Sequence, residues 1–542
     1  MGRLRFTLTN ILIWVVLILS ILLSENFAPF KPNPLSGFSV APGYLLCGVL
    51  ILFLAFYYFL EHKKNGLKFD VVLLPSFIAF GILMIINIFR QDTRTFVNFE
   101  GTDNFTVTFS LNDRISAALQ VVIWLAILYA LVFVYNRYRL NKESIRWIAK
   151  IWVVLILVLS FVDFIYEFDV IQRIFAGTYN GGGVEFLMGN ANVWGLLIYS
   201  GILTAIILSY KRFHWYYFAC MSVLFSYLIF TTSATAIYIS LASIFAYVLF
   251  EIFTRFKTDK KVAVSGLIIL GSIVSFIVLL FVIMSALKVP MFVNFLNFVS
   301  VDIINKDYFT ITGRTTMWKR LFELQVSNPM DLIFGLGHVT GRTILRTYLN
   351  FTVKSAHNGF MEILFRYGLI GLAVYLAFLG LTVFAFIKHI KKKNYRFAYI
   401  YGLAFLAVLA HSMAESTTIF TPNIGGLFFG FIFVLPVLNI IQEKHFTALK
   451  EDVLAYTPNK RWDYKKAFKA IFFITVLGIV SAKIVHIIFD MDLFCNILLA
   501  LTIIFTCCFI LVLINYKPYN RFNDYLIISL QKHIRRDLEN EK

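Results

Sequence analysis

Residues 369–387 read LIGLAVYLAFLGLTVFAFI, and residues 388–396 that follow read KHIKKKNYR. A run of that length without a charge, wound at about 1.5 Å per residue, makes a helix of about 28 Å, enough to cross a hydrocarbon core of roughly 30 Å. The cations that follow mark the cytoplasmic end, because Lys and Arg in short loops are retained there. One stretch therefore gives a membrane span and its direction, with Leu369 at the outer end and Ile387 at the inner end.

The pattern recurs along the chain. Spans are read over 9–27, 41–60, 69–89, 115–135, 148–168, 193–210, 215–231, 236–253, 262–287, 369–387, 397–414, 424–441, 467–489 and 493–514, about fourteen in all. Composition requires it: 59% of the 542 residues are hydrophobic and 15% charged, with a mean hydropathy of +0.79. In water such a chain would be covered in exposed hydrocarbon. The runs lack the period-two alternation of a membrane barrel. The expected fold class is an all-α integral membrane protein of about fourteen transmembrane helices, with a large outer loop containing short helices. Between 215 and 253 only Thr231, Thr232, Ser233 and their neighbours interrupt the apolar run. They are read as a tight turn, since one long helix there would invert every later span.

Charge supports that choice. Arg3 and Arg5, Lys63, Lys64 and Lys68, the 137–150 and 255–261 clusters, Lys211 and Arg212, the 388–396 cluster, and the cations of 444–469 and of the tail all fall on one side. The sequence thus predicts a multi-pass membrane protein with both termini cytoplasmic. The net charge of +19 is an orientation signal with attraction to anionic membrane lipid as a side effect, and nucleic-acid binding does not explain it. The expected organisation is a polytopic core over 1–441 with an outer loop at 288–368, a cytoplasmic linker over 442–466, an appended transmembrane hairpin over 467–514 and a cytoplasmic tail over 515–542. The first apolar run is read as a span, because Ser24 to Ala28 lacks a small-x-small cleavage pattern. Cys47, Cys220, Cys495, Cys507 and Cys508 all lie in apolar runs, which suggests neither a disulfide framework nor a metal site.

The outer loop departs from the inside-positive trend. Lys288, Lys306, Arg314, Lys319, Arg320, Arg342, Arg346, Lys354 and Arg366 outnumber Asp302, Asp307, Glu323, Asp331 and Glu362. Either the loop is long enough to escape the charge rule and is simply solvated, or it offers an anion-binding surface fit for a lipid phosphate. Its residues are ordered. Thr312 is a candidate N-cap for a helix with Met317, Trp318, Leu321, Phe322 and Leu324 as its apolar stripe, ended by Asn328-Pro329. Gly335-Leu-Gly337 permits a tight return. Ser355-Ala-His357-Asn358 opens a second helical run to Tyr367, and Gly368-Leu-Ile-Gly371 leads into the next span.

The order Arg314-x-x-x-Trp318, Asn328-Pro329, Gly335-Leu-Gly337, His357-Asn358-Gly-Phe-Met-Glu-Ile-Leu and Gly368-Leu-Ile-Gly371 resembles the O-antigen ligase and polymerase family of polytopic membrane glycosyltransferases. The likeness covers roughly 160–440, with its sharp part in 312–372. Arg173, Gly177-Thr-Tyr and Gly189-Asn190-Ala-Asn192 are similar to the family's arginine- and asparagine-bearing loop, and His411-Ser-Met-Ala-Glu415 to its histidine and acid near the outer end of a span. Two departures stand out: Ala234 follows Ser233 where relatives carry an arginine, and the last two spans exceed a family core of about twelve.

The resemblance implies transfer of a glycan from an undecaprenyl-diphosphate-linked donor to the hydroxyl of a lipid-linked or glycan acceptor, outside the cytoplasm, with no cofactor and no metal. It implies catalytic roles for His357 and Asn358, and substrate contacts from Arg173, Asn190, Asn192, Arg314, Trp318, His338, His411 and Glu415. The residues suit that chemistry. A diphosphate leaving group needs fixed cations, and arginine offers a planar fork. The acceptor hydroxyl needs a base. Of nine histidines, the topology leaves His338, His357, His411 and His486 outside.

His411 and Glu415 share a helix face, four residues apart, and either orient an acceptor or satisfy each other. Asp163 and Glu167, near an outer helix end, either bind sugar hydroxyls or are solvated. Asp490-Met-Asp492 is read as a helix-end cap, and Gly181-Gly-Gly183 as flexible outer loop. Room for two cationic places at the outer surface tilts the reading toward a polymerase of surface polysaccharide repeat units over a ligase of finished chains. A small-solute transporter is the distant alternative, and would need ionisable groups at midplane or an internal repeat.

Overall fold

A computed structural model describes residues 74–89, 93–97, 104–108, 141–179, 181, 183–185, 190–210, 213–258, 260–304, 311–337 and 356–415, with residues 531 and 535. The spans expected at 9–27, 41–60, 115–135, 424–441, 467–489 and 493–514 lie outside these residues, as do the linker and nearly all of the tail.

The helices are α1 Leu74–Ile88, α2 Asn141–Tyr166, α3 Phe168–Ala176, α4 Ala191–Leu208, α5 Trp215–Leu228, α6 Ala234–Thr258, α7 Lys260–Ala286, α8 Pro290–Phe298, α9 Ile311–Val326, α10 Pro329–Phe334, α11 Gly359–Lys391 and α12 Tyr395–Ala414. Four stretches among the described residues, Ala191–Leu208, Ala234–Thr254, Gly359–Lys391 and Tyr395–Ala414, are long and apolar enough to cross a membrane. The protein is an integral membrane protein, helical in its core. One feature lies outside the all-helical expectation: β1 Thr93–Val97 pairs antiparallel with β2 Asn104–Thr108, Thr95 opposite Thr106. Their hydroxyls meet at 3.0 Å, a cross-strand bond of the kind that holds short hairpins.

The core is built around α4, which is apolar on every side and therefore sits inside the bundle. It packs on α2, α5, α6 and α12, and Trp194, Leu197, Ile198, Tyr199, Ile202 and Leu203 are buried. Its few polar groups are answered locally. Trp152 Nε1 donates to Ser200 Oγ at 2.9 Å, while the Ser200 and Thr204 hydroxyls donate to carbonyls of their own helix. Around this centre α11 packs on α12 and α1, and α6 on α7 and α12.

The interruption at Thr231–Ser233 is a turn. Residues Ile229–Thr231 tighten to a 3-10 turn, Thr232 takes φ 53°, and α6 starts at Ala234. The amphipathic α3 buries Ile171 and Ile174 and lies on α8, where Asn294 Nδ2 donates to Phe175 O at 3.0 Å. Asp163, read as a bound or solvated outer acid, is instead fully buried and accepts a hydrogen bond from the Tyr227 hydroxyl.

The helix ends sort into two groups. Arg396 on α12 donates to the Ser209 carbonyl at 3.1 Å and to that of Tyr210 at the end of α4, and pairs with Glu251 on α6. All of these positions were assigned to the cytoplasmic side. The ends assigned outside meet at the other extreme, through the loop from α8 to α11.

Candidate functional site

Two glycines set the loop geometry. Gly335 takes φ 76° and Gly368 φ 69° with ψ −168°, conformations that essentially only glycine adopts. A Cβ at Gly335 would overlap the Arg366 backbone, and one at Gly368 the carbonyl of Ile333. This close approach lets Leu336 N donate to Phe365 O at 2.9 Å and Gly337 N to Arg366 O at 2.8 Å. Gly368 also kinks α11, so that residues 359–367 lie in the loop while the remainder follows the bundle. Gln325, at the C-terminal end of α9, is buried and donates from Nε2 to the carbonyls of Asp331, at 2.9 Å, and Leu364, at 2.5 Å, fastening α9 to both partners.

The His357-Asn358 turn is fixed from several directions. Asn358 is the N-cap of α11: its Oδ1 accepts from Phe360 N at 2.9 Å and Met361 N at 3.0 Å, satisfying donors that a helix start leaves open. Its Nδ2 donates to Met413 O at 3.0 Å, tying the turn to the end of α12. The preceding residue, Ala356, accepts from Trp318 Nε1 at 2.8 Å and donates its N–H to Glu362 Oε2 at 2.7 Å. Glu362 in turn pairs with the buried Arg366. Arg314, one turn before Trp318 on α9, donates from Nη1 to Ala414 O at 2.7 Å.

Three of the four sequence-selected loop positions that the structure describes, Arg314, Asn358 and His357, thus meet the end of α12, and the fourth, Trp318, holds the turn. The backbone of His357 takes a non-glycine positive φ of 46°, and the Nδ1 of its ring stands 3.4 Å from Glu415 Oε2. Burial alone would push the Glu415 carboxyl up. The hydrogen bond and charge of His357, then the charges of His411 and Arg314, outweigh it and hold Glu415 below the usual carboxylate range.

His411 and Glu415 were expected to serve an acceptor or each other. Glu415 hydrogen-bonds His357 and stays within electrostatic reach of His411, whose buried ring stacks on Tyr199 of α4 at 5.4 Å. Asn190 is the N-cap of α4, accepting from Asn192 N at 2.9 Å and Val193 N at 3.2 Å; both asparagines are exposed. Arg173 on α3 pairs with Asp169 at 3.2 Å in the open and is not among the residues gathered around His357. His338 lies outside the described residues.

Sequence reading missed Gln325, the hold of Glu362 on Ala356, and Tyr199. Glu362 alone left a signal, an acid in the first turn of a helix with an arginine four residues on.

Residues 219–376 match the family model described as O-antigen ligase. The match contains the whole 312–372 motif order and is narrower than the 160–440 expected from the resemblance; Arg173, Asn190, Asn192, His411 and Glu415 fall beyond it. No curated protein and no solved structure matches the chain.

Proposed function

We infer that this integral membrane protein, which carries an O-antigen ligase family domain over residues 219–376, transfers a glycan from an undecaprenyl-diphosphate carrier to an acceptor hydroxyl at the outer face of the membrane. The observation that carries the reading is the convergence of His357, Asn358, Arg314 and Glu415 at one end of α12. The acceptor oxygen attacks the anomeric carbon of the donor glycan. The bond from that carbon to the phosphate oxygen breaks, and its electron pair leaves with the carrier diphosphate. The hydroxyl proton passes to His357. Arg314 spends one donor on Ala414, and the rest of its fork supplies charge for the leaving diphosphate. Trp318 holds the base-bearing turn, and Arg173, Asn190 and Asn192 line the outer surface as more distant donor contacts.

For the acceptor, we retain polymerisation of carrier-linked repeat units, which the supply of outer cations favours. The ion pairs of Arg366 with Glu362 and of Arg173 with Asp169 reduce that supply and favour ligase-type transfer of finished chains as the second reading. Deleting the gene and sizing the carrier-linked glycan separates them. Single repeat units on the carrier support a polymerase. Full-length chains stranded there overturn it in favour of a ligase. Purified protein in nanodiscs that converts no diphosphate-linked glycan, yet moves solute across liposomes, would overturn the transferase reading itself.

A further inference from the structure

The contact of His357 with Glu415 crosses 58 positions of sequence and joins two separate helices. Neither partner is free to drift. Ala356, just before His357, is fastened on both its N–H and its carbonyl, by Glu362 and Trp318. Asn358, just after it, is fastened to Met413. On the other side Met413 and Ala414, the two residues before Glu415, are held by Asn358 and Arg314. Glu415 leaves the helix in extended backbone, φ −136° and ψ 153°. The separation of ring and carboxylate is therefore set by surrounding backbone ties, and their own 3.4 Å contact only has to orient. The positive φ of His357 fits this: strain of order 1 kcal/mol persists where neighbours over-determine a residue. His357 keeps about a third of its side chain exposed and Glu415 less, 32% and 19%, so the ring is the more accessible of the two groups.

We propose that Glu415 is a positioning residue for His357: its carboxylate accepts the Nδ1–H bond, fixes the ring tautomer and leaves Nε2 as the bare nitrogen that takes the acceptor proton. In the transfer step the proton moves from the acceptor oxygen to Nε2 and Nδ1 keeps its own, so the carboxylate faces the imidazolium as it forms. Arg314, a permanent cation, lies near the same carboxylate and favours its ionised state. The inference rests on the transferase reading above.

The test uses full-length protein in nanodiscs with a diphosphate-linked glycan donor. Glu415→Gln lowers kcat by about 10- to 100-fold and leaves the donor KM within about twofold. Glu415→Asp, which keeps the charge, recovers part of the loss. In a His357→Ala background Glu415→Gln costs less than about twofold more, because a positioning residue acts only through the ring. Should Glu415→Gln fail to accumulate, Glu415→Asp in both backgrounds reads the same coupling. A parental rate in Glu415→Gln, or equal losses in the two backgrounds, overturns the dyad. A near-parental rate in His357→Ala overturns the transferase assignment of His357 instead, and so separates the two failures.

Discussion

Replacing Asn358 with alanine removes two separate supports at once. The first is the helix cap, Oδ1 accepting from Phe360 N and Met361 N; losing an asparagine cap costs about 1 kcal/mol. The second is the tether from Nδ2 to Met413 O, one hydrogen bond with a net contribution of about 1 kcal/mol. Local opening of the 359–367 helix should therefore become easier by about 2 kcal/mol, or roughly 30-fold. Hydrogen exchange on peptides covering 362–367 reads this directly, and those amides do not themselves bond to the Asn358 side chain. Asn358→Asp separates the supports, since aspartate caps as well as asparagine but cannot donate to Met413. Its exchange should rise only about fivefold, while turnover falls with the tether because His357 is the adjacent residue. Protection of 362–367 unchanged within about twofold in Asn358→Ala would refute the account of how the turn is held.

Three further outcomes are expected. Arg314→Ala should raise the donor KM and lower turnover, with Arg314→Lys restoring only part because the fork is lost; an unchanged donor KM would remove Arg314 from the diphosphate site, and the exposed Lys319 serves as the control. Glu415 is held below its ordinary value of 4.5, so its contribution to stability is complete above that pH and is lost as pH falls through the depressed folded value. By scanning fluorimetry Glu415→Gln should melt below the parent at pH 7, with the gap narrowing as pH drops beneath 4.5; a gap of constant size would refute the linkage. For topology, Lys319→Cys should react with an impermeant thiol reagent in intact cells and Lys392→Cys only after permeabilisation, and the reverse pattern would invert the map.

What the sequence made legible is what local chemistry decides. An apolar run of about twenty residues has no alternative to a buried or lipid-facing helix, so α2, α4, α5, α6, α7, α12 and the inner part of α11 lie close to the expected spans. The turn at Thr231–Ser233 was readable because three small hydroxyl residues interrupt an otherwise apolar run. The glycines of the loop were readable as turns, though not their mutual contact, in which Gly335 lies against the Arg366 backbone and Gly368 against Ile333. The pairings were not legible. Helical spacing suggested His411 with Glu415, and that is the bond a single helix allows. Packing of α11 against α12 adds His357 as a partner of Glu415, and packing of α4 against α12 gives His411 the face of Tyr199. Asp163 was misread for the same reason: three residues from a helix end looks solvated until α5 brings Tyr227 over it.

The two polar extremes of the bundle differ in kind, and the difference bears on transport as an alternative. At the end assigned to the cytoplasm, the Arg396 guanidinium near the start of α12 joins the end of α4, through Ser209 and Tyr210, to Glu251 on α6, and it also lies over the Phe250 ring at 5.7 Å. Glu251 is buried, and separating a buried pair leaves an uncompensated charge at a cost of about 3 to 5 kcal/mol. A carrier whose alternation separated these helices would have to break this knot. At the opposite end the ties run from a loop to the tip of α12, and the ring they position remains partly open. A bundle locked at one end and presenting fixed groups at the other is a platform for chemistry on one face. That arrangement suits the proposed transferase better than a carrier.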